Sequence, residues 1–98
     1  MSVRLVVLLE ATPGRGVEFA NVFNARCIEM RKDEGCEEYQ VYQDVSHPDK
    51  FVLLEKWVSQ EALDAHWKLQ AARTPFPGVQ ELRLGPGTVE SYTFSRIR

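Results

Sequence analysis

Apolar side chains fall on alternate positions from residue 3 to residue 10, with Val3, Leu5, Val7 and Leu9 on one side and Val6 and Leu8 on the other. A period of two is that of a β-strand, and apolar residues on both faces need cover on both. Thr12-Pro13-Gly14-Arg15-Gly16 then turns the chain. From about Val17 to Lys32 the spacing changes: Ala20, Phe23, Cys27 and Met30 recur at intervals of three and four, widened by Phe19 and Val22. With Glu18, Asn21, Arg26, Glu29 and Lys32 assigned to the water side, this predicts an amphipathic helix. Gly35 is expected to close it near the C-terminal cap, with Arg31 and Lys32 placed against the carbonyl end of the helix dipole.

A second strand is predicted from about Glu37 to Val45, rich in the β-formers Tyr39, Val41, Tyr42 and Val45. The turn Ser46-His47-Pro48-Asp49 joins it as a hairpin to a third strand, Phe51 to Val58. That strand is again two-sided, with Phe51, Leu53 and Trp57 on one face and Val52, Leu54 and Val58 on the other. Ser59 is a good N-cap for a second helix, whose inner face carries Leu63, His66, Trp67 and Gln70. Thr74-Pro75-Phe76-Pro77-Gly78 stops it, Val79 to Leu84 fits either one helical turn or irregular structure, and Thr88 to Ile97 reads as the last strand.

The order β-α-β-β-α-β predicts an α+β, ferredoxin-like fold: a four-stranded antiparallel sheet with two helices on one face and a right-handed crossover between the first strands. Two helices cannot cover both sides of such a sheet. The bare apolar face therefore predicts a homodimer, sheet against sheet.

At 98 residues there is room for one domain. Charged residues are scattered and the net charge is −2, so nothing in the balance calls for nucleic acid or an anionic membrane as partner. The apolar run at the start ends at Glu10 and lacks a small-residue cleavage site, so it reads as a strand and not a signal peptide. No run is long enough to span a membrane, and a cytoplasmic location is the expectation. Cys27 and Cys36 match neither a redox nor a zinc spacing and are expected to be reduced thiols.

Gly35-Cys36 opening a strand that contains Tyr39, the strand end Leu54-Glu55-Lys56-Trp57, and Glu61-Ala62-Leu63-Asp64-Ala65-His66 on the next helix together resemble the antibiotic biosynthesis monooxygenase family, part of the dimeric α/β-barrel superfamily. The resemblance implies that two sheets pair into a barrel. It also implies an oxygenase acting on a small electron-rich aromatic, a quinol or hydroxylated polyketide, with O₂ as co-substrate and no cofactor, metal or flavin. Against haem-degrading members, the expected asparagine, tryptophan and histidine are Val7, His66 and Phe76 here, which disfavours that activity. Against the anthrone oxygenases Trp57 is shared, but an asparagine and a tyrosine are replaced by Leu53 and Leu63. The quinol-oxygenase branch is matched best, through Trp57 and Ala65-His66, although a further histidine is replaced by Ala71.

The pocket expected in this architecture lies between helices and sheet. His66 is the candidate catalytic base, since imidazole titrates near neutrality; the plainer reading is a core histidine hydrogen-bonded to a carbonyl. Trp57 and Trp67 are candidates to bind a flat substrate, against the plainer reading of core packing. Leu63 is expected on the same wall. Tyr39 and Tyr42 point to opposite faces, and Tyr42 is the one assigned to the pocket. Arg83 is a candidate contact for an anionic oxygen. Glu55, inside an apolar strand, is expected at a sheet edge or in a pair, with hydrogen bonding at the dimer interface as its role. His47 and His66 lie far apart with no clustered carboxylates, so no metal site is expected. No nucleophile elbow or nucleotide loop is present. A non-catalytic ligand-binding or sensing dimer of the same fold is the alternative function, and a haem-handling protein using His66 or His47 a third.

Overall fold

The alternating run at the start of the chain is strand β1 (Val3–Glu10), in a computed structural model that describes residues 2–98. Helix α1 (Gly16–Met30), strands β2 (Cys36–Gln43) and β3 (Lys50–Trp57), helix α2 (Gln60–Ala72), the single turn α3 (Val79–Leu82) and strand β4 (Thr88–Thr93) follow. The strands form one antiparallel sheet in the order β2-β3-β1-β4. β1 and β3 are thus the two inner strands, which accounts for their apolar residues on both faces. They pair from Val3↔Trp57 to Glu10↔Lys50.

The core lies between this sheet and the helices. Val3, Leu5, Val7 and Leu9 of β1 and Phe51, Leu53 and Trp57 of β3 are buried beneath Phe19, Phe23, Cys27 and Met30 of α1 and Leu63 of α2. The Phe19 ring packs 5.2 Å from Phe23 and 5.1 Å from Phe51, centroid to centroid. Ser59 caps α2 as predicted, its Oγ accepting from the Ala62 N–H at 3.1 Å.

Three boundaries differ from the sequence pattern. α1 ends at Met30, two residues early, because the Arg31 N–H closes on Cys27 and the Lys32 N–H on the Glu29 carbonyl in a tightening turn. Gly35 belongs to the turn beyond, at φ +82°, where an added Cβ would lie 2.5 Å from the Ala62 Cβ; this close approach of turn to helix needs glycine on both counts. β2 stops before Val45, which is fully exposed, because the Asp44 carboxylate accepts from the Ser46 N–H at 2.8 Å and starts the turn there. β4 ends at Thr93 and not Ile97. Beyond it the Phe94 ring lies beneath Arg4 and Lys56, each 5.6 Å from its centroid.

The other face of the sheet has no helix on it. Leu8, Tyr42 and Tyr92 are about half exposed there, with Val6, Val52 and Leu54 partly covered between them. A monomer of 11.2 kDa ordinarily exposes about 5,700 Å², whereas this chain exposes 6414 Å². Among the described residues, no helix is long and apolar enough to cross a membrane.

Candidate active site

A cavity of about 480 Å³ opens between the helices and the sheet. Its floor is apolar, made by inward residues of β1 and by Leu53; Phe23 and Arg26 of α1, Trp67 and Gln70 of α2, and Arg83 just after α3 form its walls. Two ionisable side chains of the sheet, Glu55 and Tyr39, reach it from below.

Glu55 sits at the middle of an inner strand, opposite Leu5 on one side and Tyr39 on the other. It shares the inward parity of Phe51, Leu53 and Trp57 and is 4 % exposed. The expectation of a dimer-interface role is therefore corrected: Glu55 is on the helix side, away from the open face. The Trp57 indole N–H donates to it at 3.0 Å. Burial pushes the carboxyl pKa up, and the Trp57 bond and the Arg26 charge pull it back only in part. Among the described residues, no cation forms an ion pair with it.

Tyr39 is the tyrosine on this side, which corrects the assignment of Tyr42 to the pocket. Tyr39 is 2 % exposed, and its phenolic oxygen accepts from Arg26 Nη1 at 2.5 Å, which leaves the phenol proton to be donated elsewhere. Burial drives this phenol well above its ordinary pKa, so it is a neutral donor at all working pH values. Tyr42 lies on the open face and lines two other cavities instead, one of about 500 Å³ at the hairpin end of the sheet. That larger cavity holds no buried ionisable group: its Glu10, Asp44 and Lys50 are all exposed.

His66 lies behind the cavity wall. Its side chain is 1 % exposed, its Nδ1 is 2.6 Å from Asp33 Oδ2, and Asp33 also binds Arg73. Burial holds the imidazole below its ordinary pKa, outweighing the Asp33 carboxylate. It is thus the neutral ring that donates Nδ1–H to Asp33. Burial opposes ionisation of Asp33 too, but hydrogen bonds from Arg73 and then His66 hold that carboxyl below its usual range. The His66 ring is 4.4 Å from the Trp57 ring. A continuous chain of contacts therefore runs Arg73–Asp33–His66–Trp57–Glu55 and ends at the cavity.

Of the residues singled out in the sequence, Trp67 and Arg83 stand on the cavity wall. Trp57 and Leu63 are completely buried and do not line this cavity, so a direct contact between either and a substrate is corrected to packing beneath the site. His66 likewise does not line it. Glu55, Tyr39 and Arg26 are the polar residues that sequence reasoning did not place there. Arg26, assigned to the water side of its helix, is half-buried with its guanidinium 5.7 Å from the Tyr39 ring centroid. Cys27 and Cys36 are free thiols, each pushed up to about 11 by burial. Among the described residues, no three metal-ligating side chains cluster.

Known structures share this architecture. A conserved protein from Methanosarcina mazei is 28 % identical with a TM-score of 0.78, over 94 % of this chain and 91 % of that one. A protein of unknown function from Bacteroides thetaiotaomicron, described as a possible oxidoreductase, is 24 % identical with a TM-score of 0.75, over 95 % and 97 %. An antibiotic biosynthesis monooxygenase is 20 % identical with a TM-score of 0.76, over 96 % and 99 %. At these identities the last two show the fold alone. No curated protein matches the chain. The family model for antibiotic biosynthesis monooxygenase matches residues 2–74, from β1 through α2, and the chain belongs to that family.

Proposed function

We propose that the protein is a homodimeric monooxygenase that oxidises a small electron-rich aromatic with O₂ and without metal or flavin, using Glu55 as the base. The observation that carries this reading is a carboxyl that is buried, forms no ion pair among the described residues, and lines the apolar floor of the cavity. A carboxyl whose pKa is raised toward neutrality is a stronger base once ionised than an ordinary one, and it can take a proton from a quinol or anthrone. Tyr39, polarised by Arg26, donates to the anion so formed. The electron-rich anion passes one electron to O₂, the resulting pair combines to form a carbon–oxygen bond, and loss of water leaves the carbonyl. In an anthrone the carbon that goes from CH₂ to C=O supplies all four electrons, so the two oxygen atoms end in product and water with no external reductant; a quinol, which has no such carbon, instead gives up two electrons and two protons to become the quinone and reduces O₂ to H₂O₂. His66 is proposed as a positioning residue in place of the base, holding the Trp57 indole that orients Glu55. The half-exposed apolar face of the sheet supports a second copy as its cover.

Oxygen uptake by metal-free protein with a panel of quinols, anthrones and catechols tests this reading. Saturable uptake is expected, rising with pH as Glu55 loses its proton above the ordinary carboxylate range. Glu55→Gln should lower kcat by about 10² to 10⁴, the usual contribution of a general base. His66→Ala should lower it less and displace the pH profile. Full activity in Glu55→Gln removes Glu55 as base. No uptake with any compound, alongside thermal stabilisation by an aromatic, would instead favour the ligand-binding dimer.

A further inference from the structure

The active-site cavity is not the only space at this end of the molecule. A second hollow, of about 680 Å³, lies outside it against α1, α2 and the segment that links α2 to α3. Arg26, Gln70, Val79 and Arg83 line both spaces, so the outer hollow is the mouth of the inner cavity.

The charges at this mouth do not balance. Glu29 is paired with Lys32 at 2.8 Å, and Asp33 is occupied by Arg73 and His66. Among the described residues, the Arg26 side chain meets only the neutral phenol of Tyr39, as a hydrogen bond, and the faces of aromatic rings. Arg83 has no side-chain hydrogen bond or ion pair among the described residues. The shared wall thus carries two guanidinium groups without a carboxylate, in a chain whose net charge is −2. The acid that faces them, Glu55, lies at the floor of the inner cavity.

We infer that the substrate of this site is an aromatic that carries an acidic substituent, held at the mouth by Arg26 and Arg83 while its hydroxylated ring reaches down to Glu55 and Tyr39. Guanidinium forks match carboxylate geometry and make charge-assisted bonds about twice as strong as neutral ones. The same arrangement sets the orientation, because an anionic group at the floor would meet the Glu55 carboxylate. This inference rests on the oxygenase reading for the role of the ring, but its test needs no turnover.

The probes are 6-hydroxy-2-naphthoate and the corresponding carboxamide, equal in shape and different in charge. Binding to the full chain is followed by calorimetry at low salt. The acid should bind about tenfold tighter or more, the range of a hydrogen bond to a charged group. Arg83→Gln should remove about tenfold from the acid and leave the amide within about twofold. Salt titration of the unsubstituted protein reads the same contact without any variant: the acid's affinity should fall with ionic strength and the amide's should not. Equal affinities, no binding of either probe, or an Arg83→Gln variant that weakens both alike would overturn the inference. A preference for the acid with no oxygen uptake by any substrate overturns the oxygenase reading and leaves the anion site standing. Oxygen uptake with equal affinities does the reverse.

Discussion

Asp33→Asn tests the buried chain of contacts beneath the site. The variant removes one charge; its remaining oxygen can still accept from His66, but the oxygen that accepts from Arg73 becomes an NH₂, so the fold loses the Arg73 ion pair with its hydrogen bond and keeps the acceptor for His66. Removing one partner from a fully desolvated pair costs about 3–5 kcal/mol. Here the side chains of Asp33 and His66 are 7 % and 1 % exposed, but that of Arg73 is 33 % exposed. Screening of Arg73 and the retained acceptor bring the expected loss to about 2–3 kcal/mol at pH 7. For a domain of this size that is on the order of 10–20 °C in Tm.

The pH dependence separates an ion pair from mere shape. The folded Asp33 carboxyl titrates below its ordinary value of 3.8, so its contribution is complete above that value and is lost as pH falls through the depressed one. His66 is held below its ordinary 6.5, so both proteins lose stability as pH falls below 6.5, where the unfolded chain binds the extra proton. The Asn variant lacks the carboxylate that supports an imidazolium and loses more. The gap between the two proteins should therefore widen below pH 6.5 and close only below pH 3.8. Urea denaturation of both proteins at matched concentration across this range measures it. A gap under about 0.5 kcal/mol at pH 7, or one that does not change with pH, would refute the buried ion pair.

Three further outcomes follow from the geometry. Gly35→Ala puts a Cβ 2.5 Å from that of Ala62 at φ +82° and should cost about 2–4 kcal/mol by urea denaturation; a loss below about 1 kcal/mol would mean the turn shifts freely. The stability that Glu55 contributes is complete below the ordinary carboxylate value of 4.5 and is lost as pH rises through its higher folded value, because the unfolded chain gives up that proton first; wild-type stability relative to Glu55→Gln should therefore fall over this range, whatever slope His66 adds to both proteins. An unchanged slope in the variant would mean that Glu55 is hydrated. Sedimentation equilibrium should give a dimer for the wild type and a monomer for Tyr42→Glu, which puts a charge on the half-exposed apolar face; a monomeric wild type at micromolar concentration sinks the dimer.

The fold was legible because its main signals are local. Two-sided apolar alternation in residues 3–10 and 51–58 says that both faces of these strands need cover, and the structure pairs the two side by side in the middle of the sheet, from Val3↔Trp57 onward. The polarity of the site was not legible, because each of its parts depends on something distant in sequence. Glu55 has the parity of Phe51, Leu53 and Trp57, but a charge in an apolar strand argues for an edge until the strand order puts β3 between β2 and β1. Tyr39 and Tyr42 face opposite ways on any reading. Which of them turns inward is fixed by the irregular pairing at Cys36 and Glu38, after which Tyr39 meets Glu55. Arg26 follows Phe23 by three residues and precedes Cys27 by one, on the flank of the buried stripe, where a long side chain can bend over the cavity. Asp33 belongs to a turn with no periodicity, so nothing local pairs it with a histidine 33 residues on. Strand order, a bulge and a turn therefore tie up the imidazole of His66 and leave the carboxyl of Glu55 facing the cavity, which is the arrangement from which Glu55 is proposed as the base.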